Sequence, residues 1–282
     1  MEKKLNSFIL SIFTISLLSF VLLPLFLCLG KIREGTQLQK EVAANRGSLS
    51  DVSVDIDAGD CVLTETDDMG DEYIKKMIFL GESTTYGLQR YGVLPEGQGT
   101  KQVWTGATCI GETVRSAGTL SLSPTIAKTR IYYPDTGSAL TIPDAIGQKQ
   151  PEYLVVTLGL NNGASYYSED EFKQCYRMLL NEIATASEDV HIILQSLFPV
   201  AKACRIAAYT PERITLCNTW IRELACEYEI KYLDTASVLT DAEGYLLAEY
   251  DNGGDGIHLN ELGLRAVVQY IRTHAHPKEC AS

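Results

Sequence analysis

Three short apolar runs mark the chain: "KKMIFLGE" (75–82), "YLVVTLG" (153–159) and "VHIILQS" (190–196), with a weaker version in "IKYLD" (230–234). None alternates apolar with polar residues, so each reads as a strand buried on both faces of a parallel sheet. Between them the period changes to that of helices. "SEDEFKQCYRMLLNEIATA" opens with Ser168 and Glu171 at capping-box spacing. "TPERITLCNTWIRELACEYE" opens with Thr210 as cap and Pro211 at the first helical position, and "NELGLRAVVQYIRTH" closes the pattern. Strands separated by helices of this length imply right-handed βαβ units. Residues 88–152 are rich in Gly and Thr; within them "KTRIYY" (128–133) reads as a strand and "TIPDAIGQKQ" as a short helix. The pattern predicts one α/β domain over residues 72–276 and a tail over 277–282.

The amino-terminal part follows a different pattern. Phe8 to Leu29 is uncharged throughout, and a helix of that length reaches roughly 33 Å, enough to cross a bilayer core. No A-x-A-like cleavage site follows it, and bulky Phe26 and Leu27 precede Cys28 where a lipoprotein signal has small residues. Residues 1–34 therefore read as a cytoplasmic stub and an uncleaved single-pass anchor with its span at 8–29. Lys3 and Lys4 before the span and Lys31 and Arg33 after it give only a lean toward an extracytoplasmic body. Residues 35–71 read as a solvated tether, because the stretch from Asp51 to Glu72 holds nine acidic residues and no Lys or Arg.

Composition narrows the partners. With 45% apolar and 21% charged residues the chain is of ordinary globular make-up, and its net charge of -12 argues against nucleic acid and against docking flat on anionic lipid. Of the eight cysteines, seven lie beyond the span, an odd number, and none form a C-x-x-C pair or a zinc spacing. They are expected to be scattered buried thiols, and oligomeric state is not legible.

Candidate chemistry lies where strands end. "FLGESTTYG" (79–87) delivers Ser83 after an apolar run and a glycine, "VVTLGLNNG" (155–163) delivers Asn161 and Asn162, and "NGGDGIHLNELG" sets His258 three residues after Asp255 on a glycine-rich loop. Taken alone, Ser83 is better explained as a helix N-cap, His258 as a capping or gap-filling side chain, and Asn161 as a turn residue satisfying its own backbone. The other histidines are His191, at the start of a core strand, and His274 and His276, at the end of the last helix. What changes the picture is that the three pieces come in order, each at the carboxyl edge of a doubly wound sheet.

That ordered set resembles the SGNH hydrolases, also called the GDSL esterase/lipase family. The family carries a G-D-S block after its first strand, a G-x-N block after a central strand and D-x-x-H before its last helix. The corresponding residues here are Gly81-Glu82-Ser83, Gly159-Leu160-Asn161 and Asp255-Gly256-Ile257-His258. The resemblance implies a three-layer, flavodoxin-like α/β fold with a central parallel sheet. It further implies Ser83 as nucleophile, His258 as general base, Asp255 as its orienting group, and an oxyanion hole of the Ser83 N–H and the Asn161 side chain. Two departures stand out. Glu82 replaces the family's aspartate, and the second-block glycine has no clean match; Gly118 in "SAGTLS" is favoured over Gly106 in "WTGAT".

Such a site needs no metal or organic cofactor. The resemblance implies ester hydrolysis without naming the ester, and the anchor directs attention to O-acyl groups on envelope or extracellular glycans. Trp104, Tyr166, Tyr167 and Tyr209 are candidates for stacking on sugar rings. The alternatives are an O-acyltransferase using the same residues, a lysophospholipase or thioesterase, and a catalytically silent glycan-binding module.

Overall fold

The computed structural model describes residues 61–110, 113–116 and 120–280. The expected span at 8–29 lies outside them, and among the described residues no helix is long and apolar enough to cross a membrane.

A short helix α1 (Gly70–Lys75) leads into β1 (Met77–Gly81), α2 (Ser83–Arg90) and the two-residue β2 (Val103–Trp104). Two antiparallel hairpins follow, β3 (Ala107–Ile110) with β4 (Thr113–Ser116) and β5 (Arg130–Tyr133) with β6 (Ser138–Thr141). The chain then alternates: α3 (Ile142–Lys149), β7 (Tyr153–Thr157), α4 (Glu169–Ala186), β8 (His191–Gln195), α5 (Pro211–Glu227) and β9 (Lys231–Leu233). Helices α6 (Glu261–Arg272) and α7 (Pro277–Cys280) close it. The expected caps are in place: Ser168 and Glu171 form a reciprocal box, Thr210 accepts Arg213 N–H, and Asn260 accepts Gly263 N–H.

The central sheet has the order β2-β1-β7-β8-β9 with every pair parallel. This is the flavodoxin-like 2-1-3-4-5 order, in which the chain runs outward from β1 to one side and then crosses to the other. Successive side chains of each strand point to opposite faces, and both faces are covered. Ile78, Leu80, Leu154, Val156, Ile192 and Leu194 pack under α3, α4 and α5. Met77, Phe79, Tyr153, Val155, Ile193 and Leu233 pack under α1, α2 and α6. Fully apolar strands are what such a double burial requires.

Two boundaries differ from expectation. Residues 61–71, read from their charge as tether, belong to the folded body. Val62 extends the sheet beside Tyr232, Leu63 is buried, Met69 N–H donates to the Arg272 carbonyl (3.0 Å), and Asp68 pairs with Arg272 (2.7 Å). The acids here have a cationic partner on α6, which a count of charges along the chain does not reveal. The cysteines differ too. Cys61 and Cys226 form a disulfide, whereas Cys175 and Cys217 are free and buried and Cys204 is free and partly buried. At the other end, the expected tail begins as α7, where Lys278 pairs with Glu152 at 3.1 Å.

Candidate active site

The order of strands reverses between β1 and β7, so their carboxyl ends bound a crevice. Ser83 comes from the first and Asn161 from the second. β1 ends at Gly81, where any Cβ would lie 2.0 Å from Thr85 Oγ1 and 2.7 Å from the Thr157 carbonyl oxygen. The lack of a side chain lets the strand turn into α2 against its neighbour. Glu82 occupies the N-cap position in extended conformation and Ser83 is the first helical residue. Its N–H is one of the leading amides that no helical carbonyl can accept, so it is a donor facing the crevice end of the helix.

His258 approaches from the loop before α6. Asn252 N–H donates to the His258 carbonyl (3.1 Å), and Gly256, at φ +73°, lies so close to the backbone of Cys204 that a Cβ would come within 2.6 Å of its nitrogen. Asp255 organises this loop from within. Its Oδ1 accepts the N–H groups of Ile257 (2.9 Å) and His258 (3.1 Å), and its Oδ2 lies 2.6 Å from His258 Nδ1. His258 Nε2 lies 2.8 Å from Ser83 Oγ. Because an ionised carboxylate only accepts, it assigns the proton to Nδ1 and leaves Nε2 to accept from the serine hydroxyl. Burial alone would raise the Asp255 carboxyl, but the two amides and the imidazole outweigh it and hold it below its ordinary value.

Asn161 stands on a turn with unusual backbone. Gly159 has φ +119°, where a Cβ would meet the Phe172 ring at 2.7 Å, and Asn162 has φ +66°. Asn161 Nδ2 donates to the Leu120 carbonyl (3.1 Å). An amide nitrogen carries two hydrogens, so that bond orients the group and leaves the second for a ligand. The turn is gripped from several sides. Glu82, 1% exposed, accepts Gly159 N–H at Oε1 (3.0 Å) and Asn161 N–H at Oε2 (2.9 Å). Burial pushes this carboxyl up to about 8, against the pull of the Gly159, Asn161 and Leu160 amides. Tyr176 donates to the Leu158 carbonyl and Tyr209 to that of Leu160. Arg213 serves the carbonyls of Gly163, Ala164 and Tyr167 while its guanidinium lies 4.9 Å from the Trp220 ring centre.

Ser83, His258, Asp255 and Asn161 thus occupy strand ends and one loop at the same edge of the sheet. Gly118 lies outside the described residues. Gly106 is buried in a bridge to Ile131 of β5. Of the aromatic candidates, Trp104 is 1% exposed and packs edge-on against Tyr133, and Tyr209 is buried with its hydroxyl bonded; neither offers a ring face to a ligand. Tyr167 bonds the Leu122 carbonyl, and Tyr166 stands 79% exposed after the Asn161 turn. The bridging by Glu82 and the grip of Arg213 were not read from sequence. An acid ending a fully apolar strand was the available signal for the first; nothing distinguished Arg213 from any first-turn arginine. Among the described residues no group of three or more His, Cys, Asp or Glu is gathered for a metal ion.

Residues 79–266 match the model of the GDSL-like Lipase/Acylhydrolase family. No curated protein matches the chain. Solved structures similar to it include a candidate platelet activating factor from Streptococcus pneumonia, 18% identical over 85% of this chain and 94% of that one, with a TM-score of 0.49. A GDSL-like lipase from Bacteroides thetaiotaomicron is 18% identical over 70% of this chain and 85% of its own, with a TM-score of 0.46. A carbohydrate esterase of family 3 from Talaromyces cellulolyticus is 18% identical over 73% and 96%, with a TM-score of 0.45.

Proposed function

We propose, since the chain belongs to the GDSL-like lipase/acylhydrolase family, that it is a serine esterase hydrolysing short-chain O-acyl esters through an acyl-enzyme, with O-acetyl groups on envelope or extracellular glycans as the substrate class. The observation that carries this reading is the continuous link from Ser83 Oγ to His258 Nε2 (2.8 Å) and from His258 Nδ1 to Asp255 (2.6 Å). Ser83 Oγ attacks the ester carbonyl as His258 Nε2 takes its proton, and Asp255 stabilises the imidazolium that forms. The negative oxygen of the tetrahedral intermediate is held by the Ser83 N–H and the free hydrogen of the Asn161 amide. His258 then protonates the leaving alcohol. Water, deprotonated by the same imidazole, attacks the acyl-enzyme and releases the acid.

Water rather than a second alcohol is favoured as acceptor because the His258 and Asp255 side chains are 33% and 46% exposed, while transfer to an acceptor requires that water be kept out. The net charge of -12 favours a neutral glycan or small ester over an anionic bilayer, and exposed Tyr166 offers a ring on which a sugar can stack. The Cys61–Cys226 disulfide supports an oxidising compartment, hence a body held outside the cytoplasm by the 8–29 span.

The test is turnover of p-nitrophenyl esters from acetate to laurate by the purified full chain. Ser83→Ala and His258→Ala are expected to lose at least about 10³-fold, Asn161→Ala about 10²-fold in kcat, and acetate to be preferred. A laurate preference would move the substrate to lipid esters, and undiminished rates in Ser83→Ala would reject the serine mechanism.

A further inference from the structure

The loops that follow β1 and β7 flank the crevice, one carrying Ser83 and the other Asn161, and Glu82 joins them. Its chain neighbour is Ser83; the amides its carboxyl accepts are those of Gly159 and Asn161, at 3.0 and 2.9 Å. A capping role does not account for this, since the side chain makes no capping bond to α2 although it holds the N-cap position. Packing does not account for it either. A carboxyl at 1% exposure carries a desolvation cost that an apolar side chain of similar volume would avoid.

We propose that Glu82 is a positioning residue of the esterase reaction, a buried strut that fixes the separation of the Ser83 oxygen from the Asn161 amide; this rests on the serine-esterase reading above. An ionised carboxyl is the one side-chain group of this size that accepts at both ends, so it satisfies two converging N–H groups at once. Glutamine would set its own NH₂ against one of those amides and push the turn away. A displacement of about 1 Å in a reacting group costs on the order of 10²-fold in rate. Tyr176 of α4 and Tyr209 ahead of α5, which face the carboxyl, are pushed upward by burial and so neutral, whereas His258, bonded to the neighbouring Ser83, changes charge during turnover as the general base.

The experiment uses the purified full chain with p-nitrophenyl acetate, comparing wild type, Glu82→Gln, Glu82→Asp and Ser83→Ala for kcat, KM and melting temperature from pH 6 to 9.5. Glu82→Gln is expected to lose about 10- to 100-fold in kcat with KM little changed, the mark of an interaction made in the transition state. Glu82→Asp keeps two accepting oxygens and is expected to lie between wild type and Gln. The pH dependence that general-base catalysis by His258 imposes is common to both proteins; wild-type kcat should show a further rise as Glu82 ionises, and Glu82→Gln should lack it. Wild-type kcat in Glu82→Gln, beside an inactive Ser83→Ala, overturns this proposal and leaves the esterase reading standing. An active Ser83→Ala overturns both. If Glu82→Gln does not fold, Glu82→Asp decides, and a wild-type kcat and pH profile in that variant overturn the proposal.

Discussion

Glu82 is a carboxyl group that folding carries from water to 1% exposure between a strand end and a glycine turn. The transfer couples its proton to stability. Burial raises it from an ordinary 4.5 to about 8, so between those values the folded chain binds a proton that the unfolded chain has released. Unfolding free energy therefore falls as pH rises across that window. The contribution is fully present below the unfolded value and is lost as pH passes through about 8. Urea midpoints measured from pH 5 to 9 should decline more steeply in wild type than in Glu82→Gln. Parallel curves would mean that the two donated amides hold the carboxyl ionised across the range. If Glu82 is also the strut of the reaction, the ionisation that favours turnover is the one that lowers stability.

At the level of elements, the turn after β7 shows how much is settled by side chains far away in sequence. Its carbonyls at 163, 164 and 167 depend on Arg213, from the first turn of α5. Arg213→Ala removes the donor from partly buried carbonyls and the contact with Trp220, and should cost about 1–3 kcal/mol by thermal or chemical unfolding. Arg213→Lys should recover only part of that, because an ammonium cannot span three acceptors as the planar fork does. An unchanged melting temperature in Arg213→Ala would show that water replaces the guanidinium. The strands and caps were legible because each depends on residues within a few positions: Phe79 to Gly81, Ser168 with Glu171, Thr210 with Pro211. The D-x-x-H loop was legible for the same reason, since Asp255 and His258 bond within one turn of chain. The Glu82 bridge spans 77 positions to Gly159 and exists only because the sheet order sets β1 beside β7. Within residues 88–152 the strand at Arg130–Tyr133 and the helix at Ile142–Lys149 follow the expected "KTRIYY" and "TIPDAIGQKQ", while the remaining strands resisted for a different reason. β2 has two residues, and β6 is partly exposed at all four positions, so neither carries the apolar signature of a central strand.

For the whole molecule, the disulfide is where local reading failed most plainly. Seven scattered cysteines beyond the apolar span carry no spacing that pairs 61 with 226, and only the sheet's last edge brings them together. There Tyr232 N–H donates to the Cys61 carbonyl (2.7 Å) and Leu63 N–H to that of Tyr232 (2.8 Å), so residues 61–63 cover the free edge of β9. The crosslink closes a loop of 165 positions, which includes four of the five central strands and both crevice-forming loops. Such a closure restricts the unfolded chain far more than the folded one. Cys226→Ser should therefore lower stability by about 2–4 kcal/mol, at roughly 2–4 °C of melting temperature per kcal/mol for a body of this size. Turnover measured well below the transition should stay at the wild-type value, because Ser83 and Asn161 are positioned by β1 and β7 rather than by β9. Dithiothreitol makes the test internal: it should bring wild type down to the melting temperature of Cys226→Ser and leave that variant where it was. A wild type indifferent to reductant would instead return Cys61 and Cys226 to the class of ordinary thiols, and with them would go the support for an oxidising compartment.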